Sequence, residues 1–294
     1  MQETCLIKRR MGAHIPFSRY FAPSVSEAIR NGMHTMQVFM GNPKSFRRQR
    51  ISDEDIRKVR ALTTRFPLAI FTHFPYTANF AGKSTKDGLA WSGNQTVDHC
   101  MTSMLTELTY ELSVVALIGC GVVIHPGSFP DRELGHRTVA ESINRIDFVK
   151  GGMILLENCA GEGNKLCRTF SEIRSIMDGL KTTISPHVGV CVDTAHIWGQ
   201  GDYDLRKVAD VGRMFEDFER EIGMQHFKLL HLNDSSVALG SKKDRHAHIG
   251  TGYIWGECTE SLICLLDLCE EHDIPIILET GGPCMLTIAK LDRK

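Results

Sequence analysis

Short apolar runs bounded by turn residues recur along the chain, and stretches with helical spacing separate them. Eight of these runs predict β-strands: 11–17, 34–40, 68–74, 121–126, 152–158, 188–196, 227–234 and 274–280. The clearest helical stretches are 52–66, 94–119 and 203–223, which also carry capping signals. Continuous apolar runs, as opposed to alternating ones, are typical of strands covered on both faces. Strict alternation of strands and helices therefore predicts parallel pairing through right-handed crossovers.

Eight successive strand–helix units predict an α/β fold, the TIM (β/α)8 barrel. A doubly wound open sheet is the structural alternative, but no Gly-x-Gly-x-x-Gly follows the first strand to favour it. No linker, low-complexity tract or short repeat interrupts the period. We therefore expect residues 1–294 to form a single domain, with residues 1–10 as a short basic N-terminal extension.

Composition says more about the cellular location of the protein than about its function. The 34 basic and 35 acidic residues give a net charge of −1, so a nucleic acid would have to be held by a local basic patch. The ten cysteines form no Cys-x-x-Cys pair, and the N-terminus lacks the apolar core of a signal peptide. We expect an intracellular protein, cytoplasmic or nuclear according to its host. No apolar stretch approaches the roughly 18 residues of a membrane helix, so we expect no membrane partner.

A polar, metal-capable side chain closes six of the predicted strands in succession. These residues are His73, His125, Glu157, Asp193, His231 and Glu279. A lone His or Glu at a strand end is more often hydrogen-bonded structure than a ligand, but the ends of barrel strands converge in space. Carboxylates gathered there would repel one another unless cations neutralised them. The pattern therefore indicates a metal site.

Two short motifs enlarge this set of candidate ligands. In DTAH a tight turn aims Asp193 and His196 at neighbouring sites, and in DRH the extended chain points Asp244 and His246 the same way. Imidazole and carboxylate without cysteine suit Zn²⁺, with Mn or Fe as substitutes, whereas a calcium site is all oxygen. Nine ligands, one of them bridging, suffice for three ions with open positions. Such a cluster suits phosphoester hydrolysis, because the ions activate water and neutralise the attacked phosphate.

Seven motifs follow one another along the chain: GAH, HPG, LENCAGEGN, VDTAHIWGQG, HLNDS, GSKKDRHAHIG and ILET. From about residue 11 to 283 the sequence resembles the endonuclease IV family of apurinic/apyrimidinic endonucleases. The resemblance implies a TIM barrel with three zinc ions that acts as a base excision repair enzyme. Such an enzyme cleaves double-stranded DNA 5′ to an abasic site and leaves a 3′-hydroxyl and a 5′-deoxyribose phosphate. We also expect the protein to be a monomer.

The resemblance implies three groups of metal ligands, with Glu157 shared between the first two. They are His73, His125 and Glu157; Glu157, Asp193, His231 and Glu279; and His196, Asp244 and His246. Glu157 and Glu279 are in addition the predicted catalytic residues. Flipping of the abasic sugar out of the duplex would bring its phosphate onto the ions.

The loop after the second strand is the predicted DNA-contacting segment. In GNPKSFRRQR (41–50), basic residues lie beside a phenylalanine, as expected for phosphate contacts that flank an inserted side chain. The predicted DNA-binding residues are Asn42, Lys44, Phe46, Arg47, Arg48 and Tyr76. A solvated charge run is the alternative explanation of this loop.

Several positions depart from the family pattern. Thr77 follows Tyr76 where the family has a residue that wedges into the base stack, which leaves Phe80 as another candidate. Cys159 and Glu162 stand where Thr and Gln are usual, and an extra carboxylate near DNA would weaken binding. Gly281 replaces a usual Pro and should loosen the final loop. His248 is a candidate for a ligand-supporting or phosphate-contacting role.

Two other functions remain open at this point. A metal-dependent sugar isomerase or epimerase of the same barrel superfamily would use a set such as Glu157, Asp193, His231 and Glu279 with one or two ions. It has no use for the other five candidate ligands. A catalytically impaired DNA-binding relative would keep the metals only as structural pins.

Overall fold

The apolar runs of the sequence become short strands, eight of which close into a barrel. The computed structural model describes residues 9–17, 19–82, 95–256 and 259–280. Its strands are β1 (Met11–His14), β2 (Thr35–Val38), β3 (Ala69–His73), β4 (Gly121–Ile124), β5 (Ile154–Glu157), β6 (Val188–Asp193), β7 (Phe227–His231), β8 (Asp234–Ser235), β9 (His246–Ala247) and β10 (Ile276–Leu278). The barrel closes in the order β1-β10-β7-β6-β5-β4-β3-β2, and each neighbouring pair is parallel. The predicted TIM barrel is confirmed.

Helices fill the connections between the barrel strands. Those in the described ranges are α1 (Phe21–Arg30), α2 (Asp53–Arg65), α3 (Gln95–Ile118), α4 (Arg132–Ile143), α5 (Phe170–Asp178), α6 (Thr194–Gln200), α7 (Val208–Glu221) and α8 (Thr259–Glu271). Ser52 caps α2 by accepting the Asp55 N–H at 3.2 Å, as its sequence signal predicted. The helix predicted at 203–223 begins later, at Val208, because residues 204–207 close a turn.

Several strands end earlier than their apolar runs predicted, at the point where functional polar side chains begin. The run 188–196 leaves the sheet at Asp193, whose carboxylate accepts the His196 N–H at 2.9 Å and caps α6. The run 227–234 leaves the barrel at His231, and the chain then pairs as β8 with β9 in a separate antiparallel hairpin. Polar groups at these ends are thereby turned toward one another above the barrel.

An apolar layer inside the barrel lies directly beneath these polar groups. Side chains two positions apart on a strand point to the same face. Two positions before each of the six predicted strand-end ligands stand Phe71, Val123, Leu155, Cys191, Leu229 and Ile277. All six are buried and form one apolar cluster. The sequence thus places a layer of buried apolar side chains directly beneath the polar side chains at the mouth of the barrel, where the strands end.

The described end of the N-terminal extension, residues 9 and 10, is bound to the barrel. The Arg9 guanidinium lies 2.5 Å from Asp267 and 3.1 Å from Glu270, both on α8. Arg10 pairs with Asp273 at 2.7 Å, and its carbonyl accepts the Ile276 N–H at 2.8 Å. Arg9 therefore fastens the entry of β1 to α8, and Arg10 fastens it to the turn that follows α8. Residues 1–8 lie outside the described ranges.

The structure bears on two features of the composition, the apolar stretches and the cysteines. The segment Cys100–Ile118 of α3 is long and apolar enough to cross a membrane, contrary to the expectation that no segment is. Half of it is buried in the protein, where α3 packs beside β3, β4 and α2 as a barrel helix does. The cysteines of the described ranges are all free thiols.

Asp234 organises the loop that follows the seventh strand. Its buried carboxylate accepts five backbone N–H groups, from Ser235 at 2.8 Å, Gly250 at 3.1 Å, Gly252 at 3.0 Å, Ile254 at 2.8 Å and Trp255 at 3.4 Å. A Cβ on Gly252 would lie 2.4 Å from this carboxylate, so only glycine allows the approach. Asp234 therefore fixes the hairpin that carries Asp244 and His246.

We predict that Asp234→Ala lowers the free energy of unfolding by about 3 kcal/mol or more, because unsatisfied buried donors cost roughly 1–3 kcal/mol each. Denaturant unfolding measures the change. The matched control is Asp178→Ala, which removes an exposed carboxylate paired with Arg174 and should cost under about 1 kcal/mol. Equal losses in the two variants would contradict the role given to Asp234.

Candidate metal centre

The nine predicted ligands meet above the carboxyl ends of the barrel strands. His73, Glu157, Asp193 and His231 are the last residues of β3, β5, β6 and β7. The other five follow β4 and β10 directly or lie in α6 and the β8–β9 hairpin: His125, Glu279, His196, Asp244 and His246. They line or underlie a cavity of about 370 Å³. The barrel thus gathers side chains separated by more than 200 residues in sequence.

Their donor atoms form three groups, within each of which all atoms lie inside 4.8 Å of one another. The groups are His73, His125 and Glu157; Glu157, Asp193, His231 and Glu279; and Asp193, His196 and His246. The first two match the predicted sets, and both contain Glu157. In the third, Asp193 stands where Asp244 was predicted. Asp244 nevertheless lies close, because its two oxygens are each 3.1 Å from a ring nitrogen, one of His196 and one of His246.

Two of the histidines are oriented by bonds to main-chain carbonyls. His73 donates from Nδ1 to the Phe74 carbonyl at 2.7 Å, which leaves Nε2 facing a Glu157 oxygen at 3.1 Å. His196 donates from Nδ1 to the Asn158 carbonyl at 2.9 Å, which leaves Nε2 facing Asp244 at 3.1 Å. In the neutral ring the facing nitrogen carries a lone pair. Each lone pair therefore points at a carboxylate oxygen.

His231 repeats this arrangement at the bottom of the cavity. It donates from Nε2 to the Gln37 side-chain oxygen at 2.9 Å, and its Nδ1 lies 3.1 Å from Glu157 and 3.4 Å from Glu279. The Nε2 atom of His246 is buried without a hydrogen bond, although Asp244 and Asp193 oxygens lie 3.1 and 3.6 Å away. Lone pairs that face one another across 3–4 Å fit a shared cation, as histidines bound to metals and held by a second hydrogen bond do.

The buried carboxylates and imidazoles of this cluster shift one another's pKa. Burial lowers the pKa of His231, but the carboxylates of Glu279 and Glu157 outweigh it and raise that pKa to about 9. For Glu279, burial raises the pKa, and His231 more than offsets it, so the pKa falls to about 2. His125 is different, because burial lowers its pKa to about 4 despite Glu157. A metal ion would therefore compete with protons for several of these donors.

Three amide side chains support the ligands, and they were not predicted from the sequence. Gln37 also donates to Glu279 at 3.0 Å. Asn158 accepts the Asp193 N–H at 2.6 Å, and Asn233 donates to Asp193 at 2.6 Å and to Glu279 at 3.0 Å. The available signal was a lone amide inside an apolar run for Gln37, and a position within two residues of a ligand for the asparagines. Fixed amides hold the carboxylates at their separations.

The predicted DNA-contacting loop is partly exposed beside this cavity. Asn42, Lys44 and Arg47 are exposed, and Tyr76 at the cavity mouth is 55% exposed. The Tyr76 N–H donates to the Pro43 carbonyl at 3.1 Å, which fastens the loop to the mouth. The Tyr76 ring lies 5.5 Å from that of His73, centroid to centroid. These four side chains are available to a ligand that covers the cavity.

Arg48 is a correction to the predicted interface, because it is only 2% exposed. Its guanidinium donates to the Phe46 and Asn42 carbonyls at 2.9 and 3.0 Å and lies 3.8 Å from the buried Glu111. It therefore shapes the loop from inside and cannot contact a phosphate. Phe46 is half-buried and packs against the core, which argues against insertion of its ring between bases.

The other positions that depart from the family pattern differ in their exposure, and one of them is not described. Phe80 is fully buried, so it cannot wedge into a base stack, whereas Thr77 is exposed. Cys159 is buried in the wall of a neighbouring cavity, and His248 is exposed. Gly281 lies outside the described ranges. A wedge formed by an aromatic ring after Tyr76 is therefore absent from the described residues of this loop.

The closed barrel and its imidazole–carboxylate cluster define a TIM-barrel protein with a candidate metal centre. Comparison with known proteins places the chain in the same class. A family model described as xylose isomerase-like TIM barrel matches residues 25–263. The probable endonuclease 4 of Halothermothrix orenii is 33% identical over 279 residues, which cover 92% of this chain and 93% of that protein. Endonuclease IV from Thermus thermophilus superposes with a TM-score of 0.79 at 27% identity and covers 97% of both chains. The chain belongs to the endonuclease IV family, as its motifs predicted.

The barrel is also shared with carbohydrate-related proteins. A D-tagatose 3-epimerase-like protein superposes with a TM-score of 0.66 at 16% identity and covers 97% of this chain and 96% of its own. At that identity the likeness shows the fold alone. A shared barrel does not by itself indicate a shared function.

We predict that Gln37→Leu weakens binding of divalent metal about 10–100-fold, because it releases His231 and Glu279 together. Titration of the metal-free protein with Zn²⁺ measures the affinity. The control is Thr35→Val, which removes another buried hydrogen bond of β2, that to the Ile276 carbonyl at 2.7 Å, without touching a ligand. Similar affinities in the two variants would show that Gln37 does not orient the ligands.

Proposed function

We propose that the protein is a zinc-dependent apurinic/apyrimidinic endonuclease of base excision repair. It hydrolyses the DNA phosphodiester 5′ to an abasic site and leaves a 3′-hydroxyl and a 5′-deoxyribose phosphate. The observation that carries this proposal is the set of three donor groups joined through shared carboxylates in one cavity of about 370 Å³. Membership in the endonuclease IV family supports it.

The donor set suits zinc, because imidazole and carboxylate together, without thiolate, are common ligands of Zn²⁺. His73, His125 and Glu157 would hold one ion, and Glu157, Asp193, His231 and Glu279 a second. His196 and His246 with Asp244 would hold a third, beside Asp193. Bound together, such ions lower the pKa of water, neutralise an attacked phosphate and stabilise a leaving oxygen.

The residues of the chain contribute orientation and dryness. Gln37 and Asn233 fix the two oxygens of Glu279 from opposite sides, at 3.0 Å each. The apolar layer beneath the ligands, which includes Leu155 and Leu229, keeps water from entering the centre from below. Electrostatic interactions in such a site are stronger than in water and need no rearrangement during the reaction.

The size of the cavity constrains how DNA would enter. About 370 Å³ accommodates a sugar–phosphate unit but not a duplex, so the reacting nucleotide would have to leave the helical stack. An abasic nucleotide leaves it at low cost, because no base is unpaired or unstacked. A second cavity of about 500 Å³ shares Tyr76, His125 and Asp244 with the first and gives room beside the ions.

The exposed part of the loop 41–50 suits the DNA backbone. Lys44 and Arg47 are exposed, and neither forms an ion pair with another described residue. Their loop is fastened to the cavity mouth through Pro43 and Tyr76. Phosphates that flank a nucleotide in the cavity would therefore lie within reach of both cations.

The two alternative functions, a sugar isomerase and an inactive DNA-binding relative, would each require only part of this site. A sugar isomerase with one or two ions leaves His196, Asp244 and His246 without a purpose, although Asp244 oxygens lie 3.1 Å from a ring nitrogen of each histidine. An inactive DNA-binding relative requires no open cavity above the ligands. Incision of DNA separates the proposed function from both alternatives.

We predict that the purified protein holds about three zinc ions per chain and incises a duplex carrying a single tetrahydrofuran lesion without added magnesium. Elemental analysis and a gel assay of the incised strand provide the measurements. Treatment with a chelator should abolish incision, and Zn²⁺ should restore it. Glu279→Gln should lower the turnover rate on the order of 100-fold or more and keep the fold.

Two results would contradict this proposal. One is a wild-type protein, loaded with Zn²⁺, that binds the lesion duplex and leaves it intact, as the inactive relative would. The other is incision that persists at full rate after metal is removed to below one ion per chain.

We predict that Lys44→Glu together with Arg47→Glu weakens DNA binding and flattens its dependence on salt, with a slope reduced by about one for each lost phosphate contact. Fluorescence anisotropy across a salt series measures the slope. Arg65→Glu is the control, because Arg65 is an exposed cation at the far end of α2. An unchanged slope in the double variant would remove this loop from the interface.

A further inference from the structure

The donor group around His196 and His246 is held differently from the other two. Glu157, Asp193 and His231 belong to barrel strands, and their side chains are at most 1% exposed. Asp244 and His246 come from the β8–β9 hairpin, and their side chains are 28% and 25% exposed. A hairpin outside the barrel needs its own attachment to keep these ligands at a fixed distance from His196.

That attachment at Asp244 is a side chain, not a main-chain carbonyl. The Asp244 N–H donates to one carboxylate oxygen of Glu162 at 3.0 Å. The other oxygen of Glu162 lies 2.6 Å from the Lys165 ammonium. Because both oxygens are occupied, the carboxylate is fixed in one orientation, and its charge is balanced by Lys165. This arrangement revises the expectation that Glu162 only adds negative charge near DNA.

The loop that carries Glu162 is itself fixed to the barrel. The Cys159 N–H donates to the Cys167 carbonyl at 2.9 Å and closes the loop at its base. The Leu166 N–H donates to the Gly127 carbonyl at 3.0 Å, two residues after the ligand His125. Residues 159–167 therefore form a firm support from which Glu162 reaches across to the hairpin.

Elsewhere the hairpin contacts α6 through residues that come before Asp244 in sequence. The Gly240 N–H donates to the Trp198 carbonyl at 3.0 Å, and the Lys242 N–H donates to the Gly199 carbonyl at 2.9 Å. These bonds position the tip of the hairpin along α6. Asp244 follows with its main-chain N–H held by Glu162, and its carboxylate then meets His196 and His246 at 3.1 Å each.

We propose that Glu162 is a positioning residue for the third metal ion, acting through the Asp244 N–H, with Lys165 orienting its carboxylate. The inference rests on the proposed function, since it assumes that the centre holds three ions. Hydrogen-bond partners behind metal ligands typically change affinity by about 10–100-fold. Loss of Glu162 should therefore weaken the binding of one ion. The binding of the two ions that are held by barrel strands should not change.

The test uses the full-length zinc-loaded protein and a chromophoric chelator that competes for Zn²⁺. Wild type should release three ions per chain. In Glu162→Ala one ion per chain should leave at about 10–100-fold lower chelator concentration, with the other two unchanged. Glu162→Gln keeps an acceptor oxygen for the Asp244 N–H and should stay within about threefold of wild type. Added Zn²⁺ should restore incision by the alanine variant, which a misfolded protein would not allow.

The control is Glu54→Ala, which removes the carboxylate of an exposed Glu–Lys pair at 2.7 Å on α2 and should release its ions as wild type does. If the alanine variant does not fold, Glu162→Met replaces it, because it keeps the side-chain volume and lacks an acceptor. Wild-type release of all three ions from either variant would overturn the inference, as would a glutamine variant as weak as alanine. A wild-type protein with fewer than three ions would instead refute the proposed function itself.

Discussion

Mutual repulsion among buried carboxylates and lone pairs is the constraint on which the mouth of this barrel depends. Glu157 and Asp193 are almost completely buried, and Glu279 lies beside them. Histidine nitrogens face these groups at 3.1–3.4 Å, and the opposite nitrogen of His231 is already committed to Gln37. Such a cluster is stable only with positive charge between its members, which protons or metal ions supply.

The cluster forms because side chains two positions apart on a strand point to the same face, here the inside of the barrel. On strand after strand an apolar side chain that fills the interior, such as Leu155 or Leu229, precedes by two positions a polar one that reaches the mouth. The same alternation that builds the core therefore points the ligands at one another. Asp234 and Glu162 then attach the hairpin that the period itself cannot position.

Much of this could be predicted from sequence because it depends on strands. The six strand-end ligands follow from where each apolar run stops, and the barrel follows from their regular alternation with helices. Arg48 could not be predicted in the same way, since a basic run does not reveal which cation turns inward toward Glu111. The exact membership of the third donor group was also beyond strand patterns, because Asp244 is placed by a contact with Glu162, 82 residues away in sequence.

We infer that cations hold the carboxylates and imidazoles of this cluster together. Anomalous X-ray diffraction at the zinc edge, on crystals of the purified protein, would locate such ions. We expect three peaks in the cavity, two of them within bonding distance of the Glu157 carboxylate. A single peak, or an empty cavity with the nine side chains still in place in zinc-containing crystals, would show that cations do not hold this cluster.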